Sequence, residues 1–323
     1  MDDPRASVHS LIRRNHGADK MVFGKPAKAS SRHIAKAMRP EEAFRATLSD
    51  CLSQITANAA TLRLGRSVEG LHQLRVAFRR LEVALGGFGR EFGQEWLEEL
   101  RSRAKILAGR LAPARELDVF VEKLLADPPK SGVSEGQPQL RARAEAARDQ
   151  AWAAAMACIS GSDFELFADD VAALASSQLP LTRDRRLSRT AESMLDRQRK
   201  RMKKRGRVAS SQEEGDLHRL RIALKKLRYT AECFAPLYPK PAVKAYLREL
   251  RGLQNNLGDL NDVANVRSVV HGLLKEKTRK DDVGALSYAA GAMVGWYGAQ
   301  VPSIGKQALK RYRRFKKVKP FWR

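Results

Sequence analysis

The sequence predicts an all-α protein in two halves, each an up-down helical bundle. Three observations carry this reading. From Pro40 onward almost every segment repeats its apolar residues at helical spacing, and no stretch sustains the alternation of a strand. Short connections join the helical segments and so make consecutive helices antiparallel neighbours. A basic helical motif also occurs twice, 146 residues apart, as LHQLRVAFRRL at 71–81 and LHRLRIALKKL at 217–227. The same shift carries LAPARELD at 111–118 onto LGDLNDVA at 257–264, and Lys105 onto Arg251. One offset that aligns separate motifs marks a duplicated unit.

Residues 1–38 mix Gly, Pro, Ser, Lys and His without apolar periodicity and read as a mobile basic arm. The first bundle, 39–177, holds helices at about 40–64, 68–87, 92–112 and 114–127. DPPKSGVSEGQP at 127–138 is its clearest break, and Ala-rich helices follow at about 139–159 and 163–177. The second bundle, 178–302, repeats the order with helices at about 183–207, 214–235, 241–257, 260–277 and 281–299. Pro239 and Pro241 mark a boundary, because proline fits a first helical turn but not an interior. From Ser303 to Arg323 the chain carries nine Lys or Arg and no acid, and reads as a basic tail.

With 61 Lys and Arg against 36 Asp and Glu, the 323-residue chain has a formal charge of +25 and attracts anions at range. Nucleic acid, an anionic membrane face and inorganic polyphosphate are the candidate partners. Cys51, Cys158 and Cys233 are odd in number and scattered through helical patterns, which suits a reducing compartment. The N-terminus lacks the apolar run of a secretory signal, and the longest apolar stretch, 283–296, is too short to cross a bilayer. A cytoplasmic protein without a transmembrane segment is expected. The sequence carries no signal for oligomeric state.

The charge is patterned as well as abundant. His218, Arg221, Lys225 and Arg228 step by three, four and three and so form one line along a helix, beside a core stripe of Leu217, Leu220, Leu224, Leu227 and Ala231. The first copy sets His72, Arg75 and Arg79 beside Leu71, Leu74, Phe78, Leu81 and Leu85. A solvated face usually mixes Glu with Lys, and these lines are nearly free of acids. Basic residues beside a core stripe also snorkel without binding anything, but two copies at one offset favour an anion site. Arginines nearby should lower the proton affinity of His72 and His218, whereas a bound phosphate would raise it. The helix at 183–207 adds Arg197, Lys200, Arg201 and Lys204.

These residues resemble the CHAD family, an α-helical domain named for its histidines. Its first motif, His-x-x-Arg-Val/Ile with paired basic residues after it, is matched by His72, Arg75, Val76, Arg79, Arg80 and by His218, Arg221, Ile222, Lys225, Lys226. Its second, Leu-Gly followed by Arg-Asp, is matched by Leu111 to Glu116 and by Leu257 to Asp262, with Asn261 where the first copy has Arg115. The resemblance covers about 40–300. It implies two pseudo-symmetric four-helix bundles with additional connecting helices, and a basic channel between them that binds inorganic polyphosphate. By motif position the contacts would be His72, Arg75, Arg79, Arg80, Lys105 and Arg115 in the first half. In the second they would be His218, Arg221, Lys225, Lys226, Arg228, Tyr229 and Arg251. Glu82 stands where the second copy has Arg228, so the half-sites need not contribute equally. Such domains often follow a CYTH domain with a Glu-x-Glu-x-Lys hallmark; that motif does not occur, so a stand-alone copy is expected.

No phosphate-binding glycine loop, HExxH or paired-cysteine zinc spacing occurs, so neither catalysis, a metal nor a cofactor is expected. Asp118, Asp259 and Asp262 are candidates for catalytic or metal-holding carboxylates only in principle; Asp259 and Asp262 read as capping or beginning the helix after Gly258. The leading function is non-catalytic polyphosphate binding, targeting the chain to polyphosphate or storage granules. The alternatives are a non-specific nucleic-acid binder that uses the groove or the basic tails, and a granule-associated scaffold. Only Tyr229 near the stripe could stack a base, which disfavours the nucleic-acid reading.

Overall fold

The computed structural model describes residues 25–29, 34–126, 136–178, 186–209, 214–275 and 283–323, and among these every regular element is helical. The first half holds α1 (Pro40–Leu64), α2 (Val68–Phe92), α3 (Leu97–Arg110), α4 (Ala112–Val119), α5 (Gln137–Ser160) and α6 (Ser162–Ser176). The second holds α7 (Leu187–Val208), α8 (Glu214–Phe234), α9 (Lys240–Lys275) and α10 (Val283–Phe315). A π-turn at Phe120–Leu124 extends α4, and a 3-10 turn at Ala235–Leu237 follows α8.

The 146-residue shift holds beyond the motifs. It lays α1 on α7, α2 on α8, α3 with α4 on α9, and α5 with α6 on α10. The two breaks in the first copy have local causes. Pro113, without an N–H, sits in the first turn of α4; its counterpart is Asp259, and α9 runs through it unbroken. Gly161 separates α5 from α6, whereas Gln307 keeps α10 continuous.

Helices α1, α2, α3 and α6 pack together, and α7, α8, α9 and α10 do likewise. The two groups are not separately cored. One apolar cluster runs from Phe44, Phe78 and Phe88 across to Phe234 and Tyr246, and the rings of Phe88 and Phe234 meet at 5.8 Å between centroids. A second cluster draws Phe120 and Leu124 from the π-turn, Leu140 from α5, Val266 and Val270 from α9, and Leu286 and Met293 from α10. Gly136, at φ +77°, makes the junction of α5 and α10 possible, since a Cβ there would fall 1.8 Å from the Ala285 carbonyl oxygen.

Three readings change. The helices expected at 241–257 and 260–277 are one helix, so Asp259 and Asp262 are interior and cap nothing. Both instead face Lys123 of the π-turn, whose Nζ lies 2.7 Å from Asp262 Oδ2 and 3.9 Å from Asp259 Oδ1. The basic tail from Ser303 is largely the continuation of α10 through Pro302, and its last residues fold back. Phe321 and Trp322 are buried, Trp322 packs its ring 5.2 Å from that of Tyr246, and its Nε1–H donates to Asp196 Oδ1 at 2.9 Å. The arm at 1–38 lies mostly outside the described residues, as do most of the break at 127–138 and the first residues of the helix expected from 183. Its inner part is anchored: Asn58 of α1 accepts from the Ala27 N–H at 3.1 Å and donates to the Ala27 carbonyl at 2.9 Å. No helix among the described residues is long and apolar enough to cross a membrane.

Candidate anion-binding groove

Helices α2 and α8 touch and bring the two basic lines together. α2 starts cleanly because Ser67 caps it, its Oγ accepting from the Gly70 N–H at 3.0 Å. The leucine stripes of both helices are buried, with Leu71, Leu74, Leu220 and Leu224 at zero exposure. The adjoining line therefore falls at the edge of the core, and its cations are half-buried. Lys225 comes within electrostatic reach of Arg75 and Arg79 across the groove and of Arg221 and Arg228 on its own helix. Arg115, from α4, closes the cluster beside His72 and Arg75.

This crowding sets the proton affinities. Burial, reinforced by four arginines, pulls the Lys225 ammonium down to about 6, which favours the neutral amine at pH 7. Burial and then Arg79 lower Arg221 to about 10, and burial with Arg79 does the same to Arg75; both stay charged at neutral pH. Burial and Arg115 lower His72, which is neutral there. Acids temper the cluster from its edge, Glu116 beside Arg75 and Arg221, and Asp262 beside Arg221. Among the described residues none of Arg75, Arg79, Arg115, Arg221 and Lys225 is in an ion pair. Arg75 donates to the Ala108 carbonyl at 2.6 Å. The Nε of Arg221 is buried without a partner.

Other predicted residues stand apart from this cluster. Arg80 turns into the first core, where its Nη1 donates to Gln54 Oε1 at 2.9 Å. Lys226 pairs with Glu82 at 3.5 Å, Arg251 with Glu232 at 3.0 Å and Arg197 with Glu91 at 2.5 Å. Arg228 lies over the buried Tyr229 ring at 4.9 Å and 3.8 Å from Glu232. His218 lines a cavity next to Arg221. Arg201 faces Arg90 and Arg101, while Lys105 and Lys204 are exposed on α3 and α7. Lys200 opens instead on a basic cleft with Arg199, Lys203, Lys316 and Lys317. Sequence reasoning missed that cleft, although Arg199 and Lys203 share a helical face; their partners come from the end of α10. It also missed Gln254, buried with both amide atoms unpartnered, at the position matching Ala108.

The family model for the CHAD domain matches residues 46–271. The chain belongs to the CHAD domain family. This CHAD domain shares its fold with the CHAD domain from the plant Ricinus communis, at a TM-score of 0.80 and 24% identity, over 92% of this chain and 98% of that one. PptA from Streptomyces chartreusis superposes at a TM-score of 0.67 and 19% identity, over 85% of this chain and 99% of that one. Among curated proteins none matches the sequence.

Proposed function

We propose that this CHAD domain binds inorganic polyphosphate, without turning it over, in the groove between α2 and α8. The observation that carries this reading is the convergence of Arg75, Arg79, Arg115, Arg221 and Lys225, none of them in an ion pair with an acid among the described residues. Like charges held together at the core edge cost stability, and a linear polyanion offsets that cost along the whole line. Membership in the CHAD family supports the same substrate, given the motifs at His72 and His218. Through this site the protein is targeted to polyphosphate granules. A nucleic-acid reading is disfavoured because Tyr229, the aromatic of the stripe, is only 5% exposed and offers no stacking face.

Competition between polyphosphate and RNA or DNA of matched charge tests this. Polyphosphate should win, and five contacts should cut its affinity about a hundredfold from about 50 to about 200 mM salt. Equal competition by nucleic acid would refute the assignment. No phosphate should be released on prolonged incubation.

Lys225 adds a proton signature. Its amine lies below its usual value of 10.5, at about 6, and polyanion binding favours its charged form. Binding at pH 8 is therefore expected to take up close to one proton, read by calorimetry in buffers of different ionisation heat, and Lys225→Met should abolish the uptake. For the empty protein the sign is fixed: the unfolded chain holds more protons between about 6 and 10.5, so stability rises with pH across that window.

A further inference from the structure

Beside Arg221 the second half encloses a cavity of about 470 Å³ between α8, α9 and α10, within the usual size range of small-molecule sites. Its floor is apolar, with Leu257, Leu260, Val263 and Val301. Its rim carries His218, Arg219, Arg221, Asn261 and Arg267. The internal duplication explains the space. In the first half the position matching Gly298 holds Trp152, which is 4% exposed and donates its Nε1–H to the buried Asp118 Oδ1 at 2.9 Å. Shifted by 146, Trp152 becomes Gly298 and Asp118 becomes Ala264, and both line the cavity. A Cβ built on Gly298 would meet nothing within 4 Å. The second copy has lost an indole and its acceptor, and has gained Arg219 and Arg267 where the first has Gln73 and Val121.

We infer that this cavity accepts the base of a nucleotide whose phosphates reach Arg221. The space left by an indole fits a planar bicyclic ring, and the Asn261 side chain at the rim can both donate to and accept from a base edge. Arg221, with its buried Nε unpartnered, belongs to both the cavity and the basic groove. The phosphate half of the inference rests on the groove reading above, while the ring half rests on the missing Trp152 counterpart alone. Polyphosphate and nucleotide would thus compete for Arg221, and the chain would respond to nucleotide level as well as to polyphosphate.

The test is titration of the full chain with ATP and with inorganic tripolyphosphate, free of divalent cations, with long-chain polyphosphate alongside. Burying the base should make ATP bind about ten-fold or more tightly than tripolyphosphate. The double variant Gly298→Trp with Ala264→Asp rebuilds the first half's pair. It should erase that preference, keep polyphosphate binding and melt no lower than the parent. Equal affinities for ATP and tripolyphosphate in the parent, with polyphosphate still bound, would overturn the cavity assignment whether or not the variant folds. Loss of polyphosphate binding itself would instead sink the groove reading.

Discussion

Arg221→Glu with Lys225→Glu is expected to weaken the proposed polyphosphate binding by a factor of about a hundred or more while leaving helical content and melting unchanged. The double change removes two of the proposed contacts and plants two carboxylates in the line proposed for the phosphates, so each lost contact would be joined by a repulsion. The fold tolerates it because neither side chain belongs to the apolar core. Glutamate at 225 would meet Arg75, Arg79 and Arg228 in place of an amine whose proton affinity burial, and then those cations, lower. Lys310→Glu with Lys319→Glu makes the same change in formal charge at exposed positions and serves as the control. Equilibrium binding of labelled polyphosphate and circular dichroism melts decide the matter. Unchanged binding by the groove variant, or an equal loss in the control, would remove the site from α2 and α8.

Trp322→Ala is expected to cost about 3 kcal/mol, in the range for buried aromatic truncations, and to lower the melting temperature by several degrees. The indole is 3% exposed. It meets Tyr246 and Phe321 edge to face, with ring centroids 5.2 and 4.9 Å away, and fixes Asp196 of α7 through its N–H. Truncation before Ser303 goes further, since it removes the half of α10 that carries the buried Leu309, Tyr312 and Phe315. Such a fragment should not fold its second half. Removing the basic end therefore cannot be used to ask whether the groove alone binds polyanions, because the operation destroys the scaffold. A parent-like melt for Trp322→Ala would mean that the chain end is not packed as described.

The leucine stripes and the basic lines beside them were legible because helix periodicity fixes which residues share a face, and the 146-residue offset was legible because duplication repeats it. Pairings between helices were not. Arg80 and Lys226 read as groove cations from motif position and Arg197 from helical spacing, yet Gln54, Glu82 and Glu91 reach them from helices remote in sequence or facing across. The chain end was misread because nine cations hide four aromatics, Tyr312, Phe315, Phe321 and Trp322, whose burial depends on Tyr246 and α7. The break expected at Gly258 failed for a related reason. Glycine and two aspartates favour helix ends, but in α9 flanking apolar contacts hold the helix and Lys123 neutralises Asp262.

The cluster formed by the π-turn, α5, α9 and α10 buttons the two halves together at one end. Spreading the halves as separate plates would tear open Phe120, Val266 and Leu286, so this packing resists any widening of the groove between α2 and α8. On the function proposed above, a polyanion would thread a fixed slot instead of closing a jaw. Little ordering is left to be done on binding, and the cost shifts from shaping the slot to dehydrating its cations.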